Sequence, residues 1–360
     1  MTDTSPGIGG LTFDTKRRNR PPELNVFLAL IAIVLIFEAL GYFLMGQSFL
    51  FDSADRFPTI FNEARLKIII LQVAIIGIIA LGSTQVIISH GIDLSPGSVV
   101  GLTAMVAMSF AQTATVNGNP NPKAIFGDWA MDLPVIVPII VGLAIGLGAG
   151  LVNGLLIAYT RIPPFIATLG MMVGARGAAK WWSKGRPISF PTEEFTVLGN
   201  GFGGWMPVVI FIGLAILFTL ILKYTVYGKH TYAVGSNEAA ARMSGINVER
   251  HKVLVYVIAG MLASLAALVL ASKNLTAQAG MGVMYELDAI AMTVIGGVSL
   301  NGGRGSVVGT VLGALIFGVI ISGFTFLKLD AYYQEMVKGA IIVAAVVLDQ
   351  WRQQRAAARS

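Results

Sequence analysis

The chain has 360 residues, of which 55% are hydrophobic and only 12% charged, against roughly 25% charged in a typical soluble domain. With a mean hydropathy of +0.75, this overrules the two soluble domains that length alone suggests and points to an all-α polytopic membrane protein. The absence of cysteine excludes disulfides, thiolate metal sites and cysteine nucleophiles, and the net charge of +6 reads as a topology signal with no nucleic-acid partner expected.

The first 25 residues are polar and basic, with Lys16, Arg17, Arg18 and Arg20 before Pro21-Pro22. No small-residue cleavage site follows the first apolar run, so 1–25 reads as an uncleaved cytoplasmic tail. About ten spans follow, each near the ~20 residues that cross a bilayer. They cover 26–46, 67–88, 98–116, 133–159, 164–182, 206–224, 253–272, 286–300, 306–327 and 332–348. The third, eighth and tenth are short or carry polar residues, which suits broken or re-entrant helices. Together 26–348 form one transmembrane domain, and 349–360 form a second tail. Lys and Arg are richer in the segments that face inward if the N-terminus is inside, so both termini are expected on the cytoplasmic side.

Between the sixth and seventh spans lies a soluble-looking loop, 225–252, containing YAVGSNEAAARMSGINVERHK. Ser236 or Asn237 supplies an N-cap, because a side-chain oxygen there accepts from a free backbone N–H. Glu238 sits in the first turn, where the helix dipole favours an anion, and Arg242 follows at the pairing distance of four residues. Gly245 stands where a left-handed stop belongs. About eight helical residues, ~12 Å, are left between cap and stop. A helix that short needs support, and its small face of Ala239, Ala240, Ala241 and Met243 reads either as resting on the protein itself or as a knob for a soluble partner.

The loop resembles the coupling loop of the sugar-type permeases of bacterial ATP-binding-cassette (ABC) importers, the ribose, xylose and myo-inositol group, and more distantly the branched-chain amino acid permeases. GIDLSPGSVVG at 91–101, NGLLIAYTRIPPFIATLGMM at 153–172 and YELDAIAMTVIGGVSLNGGRGSVVGTVLGALI at 285–316 carry the same likeness. Pro96 departs from the residue usual after GIDLS in that group. The resemblance implies an importer permease fold, a place in the inner membrane of a bacterium and a homodimeric pore. It also implies a periplasmic sugar-binding protein that delivers substrate, and a cytoplasmic ATPase docking on Gly235, Ser236, Asn237, Glu238, Ala239, Ala241, Arg242 and Gly245. ATP and Mg would then be bound by the ATPase and no cofactor by this chain.

The residues agree that the chain has no motor of its own. There is no G-x-x-x-x-G-K-[ST] phosphate loop, since Gly228-Lys229 is followed by His230. His90, His230 and His251 show no metal spacing, and no nucleophile–base pair is evident. A self-sufficient secondary transporter or channel remains the alternative, and it calls for ionisable residues at mid-membrane.

Within the spans, Gly142, Gly146 and Gly150 recur every fourth residue, a helix-packing face. SPGSVVGLTAMV at 95–106 echoes GRGSVVGTVLGAL at 303–315, a hint of an internal repeat. Intramembrane polar groups mark a candidate path. For an uncharged, hydroxyl-rich sugar or cyclitol, Gln85, Asn153 and Thr168 offer neutral hydrogen bonds and Phe165 an apolar face. Asp288 lies with Glu286 at the outer end of the eighth span, and Asp93 in the first inner turn. Glu335 and Lys338, three apart, are expected to neutralise each other. Trp181, Trp182 and Trp205 suit an interfacial belt.

Overall fold

A computed structural model describes residues 22–51 and 62–357 of the chain; of the basic tail expected over 1–25, residues 1–21 lie outside the described residues and the last four open the first helix. Helix α1 (Pro22–Leu40) continues through a π-turn at Gly41–Met45. It is followed by α2 (Glu63–Ile88), α3 (Pro96–Ser109), α4 (Ile136–Tyr159), α5 (Pro164–Ser183), α6 (Glu193–Gly204, kinked at Gly201–Gly203) and α7 (Met206–Tyr224). Then come α8 (Val226–Ser236), α9 (Glu238–Met243), α10 (Val248–Asn274), α11 (Tyr285–Ile295), α12 (Val307–Phe326) and α13 (Ala331–Ala357). Two small ribbons complete the described fold: β1 (Thr115–Val116) with β2 (Asn119–Pro120), and β3 (Ile188–Ser189) with β4 (Thr276–Ala277), both antiparallel.

Hydrophobicity sorts the helices. α2 is apolar on every side and is buried without interruption from Val73 to Ile88, so it forms the axis of the domain. α10 and α12 pack along it. α1, α4 and α7 are equally apolar yet mostly uncovered, which is the pattern of helices whose outer face meets lipid. The α4–α10 contact is glycine-built, as the four-residue repeat predicts. A Cβ on Gly146 would stand 2.2 Å from the Gly260 carbonyl oxygen, and one on Gly150 would stand 2.3 Å from that of Tyr256. Only a missing side chain lets two backbones approach so closely.

Of the about ten spans expected, six are supported. Among the described residues, six helices are long and apolar enough to cross a membrane: Glu23–Met45, Glu63–Ile88, Ile136–Tyr159, Met206–Tyr224, Val248–Asn274 and Val307–Phe326. The third and eighth candidates fold as α3 and α11, of 14 and 11 residues. At 1.5 Å per residue these reach ~21 and ~17 Å, short of a ~30 Å hydrocarbon core. The end of the third candidate is instead a ribbon turned by Asn117-Gly118, both left-handed, the signature of a two-residue hairpin. α5 and α13 are long, at 20 and 27 residues, but Arg176, Lys180, Glu335 and Lys338 interrupt them. The last helix also runs past 348, through most of the stretch read as a tail.

Candidate coupling and passage sites

The loop between α7 and α10 is two helices, where the sequence reading has one. Thr225 caps α8, its Oγ1 accepting from the Gly228 N–H at 3.4 Å. The chain then breaks at Asn237, which is extended (φ −161, ψ 102) and whose Oδ1 accepts from the Ala240 N–H at 3.0 Å. Of the two cap candidates the structure uses Asn237; the Ser236 hydroxyl donates backwards to Tyr232 O at 2.8 Å, closing α8. α9 is six residues long rather than about eight. Gly245 ends it with φ +84. Its N–H donates to Arg242 O at 3.0 Å and that of Ile246 to Ala241 O at 3.2 Å, which is the Schellman pairing that satisfies a helix's last carbonyls.

A single turn and a half of helix is held by two devices. Ala241 turns inward and packs with Val234 and Val248, beside Ala233 and Ile246. Charges pin the other side: Glu238 pairs with Arg242 at 3.3 Å and with Lys252 at 2.7 Å, while Arg242 also pairs with Glu249 at 2.5 Å. Burial pushes the Glu238 carboxyl up, but Lys252 and Arg242 together outweigh it and hold it below the usual carboxylate range. The hydrogen bond that Arg242 donates to Glu249 chiefly raises its own guanidinium above its ordinary value. Single exposed pairs contribute little, and four charges in a network contribute more. What remains outward is Ser236, Asn237, Ala239, Ala240 and Met243. Met243 is 85% exposed, an adaptable side chain on a rigid base.

α8 ties this knob to the core. Gly235 lies so close to the end of α2 that a Cβ there would stand 1.7 Å from Ile88 O. The Tyr232 hydroxyl donates to Gly305 O at 2.9 Å, in the turn between α11 and α12, and the Gly303 N–H of that turn donates to Ile88 O at 2.8 Å. The Tyr227 hydroxyl donates to Gln85 Oε1 at 2.7 Å inside α2, and burial pushes that phenol above its ordinary range. Thr231 Oγ1 and His251 Nε2 are 3.0 Å apart. A displacement of α9 therefore has three rigid routes into the bundle.

The residues singled out for a solute path do not share one place. Gln85 has no exposed surface and belongs to the Tyr227 link. Asn153 and Thr168 converge on the GIDLS turn. Asn153 Nδ2 donates to Ser95 Oγ at 3.0 Å, Ser95 donates from its N–H and its hydroxyl to Asp93 Oδ1 at 2.8 and 2.6 Å, and Thr168 Oγ1 lies 3.5 Å from Ile92 O while donating to Pro164 O of its own helix at 2.9 Å. Phe165 is half exposed at the start of α5. Asp288 pairs with Lys338 at 3.2 Å. The expected Glu335–Lys338 neutralisation is thereby overturned: α11 offers Lys338 a buried carboxylate, which attracts an ammonium more strongly than an exposed neighbour on its own helix. Trp181 is 77% exposed, and Trp182 Nε1 donates to Ser109 Oγ at 2.8 Å, both at the end of the bundle opposite the knob.

Sequence reading places Arg176 within the fifth span and gives it no role. It lies 12 residues into α5, ~18 Å along the helix, and donates to Gly97 O, Ala279 O and Met281 O at 2.9, 2.6 and 2.7 Å. The signal was present: one arginine among glycines and alanines in a span. Beside it is a cavity of about 450 Å³ bordered by Ser98, Val173, Gly177 and Glu286. A second, of about 520 Å³, continues towards the β3–β4 ribbon and shares Lys180 with it. Among the described residues no group of three His, Asp or Glu could hold a metal ion.

Comparison with known proteins adds the kinship. Residues 65–346 match the family described as branched-chain amino acid transport system / permease component. The chain is 37% identical over 336 residues to the ribose import permease protein RbsC of Haemophilus influenzae, covering 91% of this chain and 93% of that one. It is 38% identical over 302 residues to the ribose import permease of Escherichia coli K12, covering 82% and 88%. To the galactose/methyl galactoside import permease MglC of the same strain it is 37% identical over 307 residues, covering 83% and 90%.

Proposed function

Because this chain belongs to the permease-component family of branched-chain amino acid transport systems, and its relatives are named for ribose and galactose import, we propose that it is the membrane subunit of an ABC importer for a neutral sugar. It is not the enzyme of that system; a separate ATPase hydrolyses ATP. Ribose fits best, with galactose, xylose and myo-inositol as further members of the same hydroxyl-rich class. Two copies would enclose the passage, a soluble binding protein would deliver sugar at the β3–β4 end, and the 225–252 loop would face the cytoplasm with both termini. α3 and α11 would be half-membrane helices within the single domain spanning 26–348.

The observation that carries the reading is the Asn237-capped knob, small and outward-facing, clamped through α8 to the end of α2. In the proposed cycle, ATP binding draws two ATPase domains together, and Ser236, Asn237, Ala239 and their neighbours ride with them. Tyr227–Gln85 and Gly235–Ile88 turn that displacement into tilting of α2 and its partners, which alternates access. Glu238→Arg tests the coupling role. It places a like charge beside Arg242 and Lys252 and frees the knob. ATP-dependent uptake by proteoliposomes holding the full importer is expected to fall by about tenfold or more, while membrane insertion is retained. Unchanged uptake with unchanged ATPase co-purification sinks the coupling role.

One observation favours a second reading, a self-sufficient transporter: Arg176, Glu286, Asp288 and Lys338 put charge inside the helical bundle. Gradient-driven sugar uptake by the purified chain alone would select it.

A further inference from the structure

We propose that the cavity between α3, α5 and the start of α11 is a sugar-hydroxyl station on the passage, with Glu286 as the acceptor and Arg176 as the group that shapes it. The proposal rests on the importer reading and names a site within it. Glu286 is 7% exposed, and its Oε2 has no hydrogen-bond partner. That oxygen is sealed against Gly97, a Cβ on which would stand 2.0 Å from it; turned into the cavity to meet a solute hydroxyl, it recovers the free energy that an unpaired buried carboxylate oxygen costs. Charge at this depth does not face hydrocarbon, so the cavity opens on a polar passage or on the second copy that completes it.

The ligand class follows from what each group has left to offer. Arg176 has spent three of its five N–H groups on backbone carbonyls. Only the Nε–H and one Nη2–H are left for a carboxylate ligand, and the Glu286 carboxylate on the same cavity repels it, which disfavours an amino acid. A hydroxyl needs one acceptor and one donor, and Glu286 with Ser98 and Lys180 at the wall supplies both. Met172 and Val173 give the remaining surface an apolar lining. At about 450 Å³ the cavity falls within the range of small-molecule sites, ~300–1,000 Å³, but it offers no aromatic face on which a sugar ring could stack. A weak, transient contact results, as a passage requires. Gly177 keeps the cavity open: nothing stands within 4 Å of a Cβ placed there, so a larger residue fills the space without disturbing the fold.

The test uses the whole importer in proteoliposomes, with D-ribose and D-galactose as probes. Gly177→Leu and Glu286→Gln are compared with Gly213→Leu, a position on α7 whose Cβ also meets nothing. Expected is a loss of uptake by about tenfold in the first two, with binding-protein-stimulated ATP hydrolysis retained and Gly213→Leu unaffected. Because the chain has no native cysteine, Gly177→Cys gives a second readout: D-ribose or D-galactose slows its reaction with a hydrophilic maleimide, and L-leucine does not. Normal uptake in both cavity variants overturns the proposal. So does ATP hydrolysis falling in step with uptake, or protection by L-leucine instead of sugar. Failure of the importer reading itself shows elsewhere, as absent ATP-dependent uptake in the unsubstituted complex.

Discussion

Gly235→Ala is the sharpest probe of how the knob is fastened. The added methyl carbon would stand 1.7 Å from Ile88 O and 2.8 Å from Gly303 N, whereas carbon contacts rest near 3.5–4.0 Å. Both obstacles are backbone, so neither can rotate away, and α8 has to retreat by about 2 Å. That retreat stretches the Tyr227–Gln85 and Tyr232–Gly305 hydrogen bonds, now 2.7 and 2.9 Å, beyond bonding range. Overpacking costs about 1–3 kcal/mol and each of the two lost bonds about 1 kcal/mol, so the clamped arrangement should weaken by roughly 3–5 kcal/mol. At 1.4 kcal/mol per decade, its population falls by at least about a hundredfold. The assay measures ATPase co-purification, ATP-dependent uptake and thermal stability of the full complex. Ala239→Arg serves as the comparison, because Ala239 is exposed; it should lower co-purification and leave stability unchanged. Should Gly235→Ala match the unsubstituted protein in stability and uptake, α8 is not clamped against α2 and the transmission route is refuted.

Two further perturbations read other parts of the fold. Asp288→Asn leaves the Lys338 ammonium against a neutral amide and should destabilise the complex by about 3–5 kcal/mol, whereas adding Lys338→Met, whose sulfur can rest on the Phe317 ring now beneath the ammonium, should restore most of it; a double variant no more stable than the single would refute the pairing. The Glu238 carboxyl is held below its ordinary value of 4.5, so the stabilisation it confers is complete above that pH and is lost as pH falls through its folded value. Hydrogen exchange in the 237–246 segment, corrected for intrinsic rates, should stay slow at neutral pH and accelerate only below about pH 4.5, and acceleration near pH 6 would contradict the assignment.

Much of the molecule was legible because it follows from local rules. Apolar runs must satisfy their backbone internally when they meet lipid, which gave the all-α class and the long spans. Asn237, Gly245 and the Glu238–Arg242 spacing mark a helix by chemistry that acts within a few residues. The glycine repeat on α4 announced a close helix contact for the same reason: its period is written along one face. The fold class, the capped knob and the lack of a nucleotide-binding loop were therefore decided by the sequence.

Tertiary structure decided what depends on residues far apart. Hydropathy could not separate a short buried helix such as α3 or α11 from a full crossing, because protein and lipid are equally apolar surroundings. Lys338 chose Asp288 over Glu335 because a buried partner 50 positions away outcompetes an exposed near one. Arg176 acquired its role only when Gly97, Ala279 and Met281 came round it. Gln85, a path candidate by position, proved to be the inner end of the Tyr227 contact. Caps and periodicity are properties of neighbours in the chain, but burial and pairing are properties of neighbours in space, and in this protein those are brought together only when α2 is enclosed.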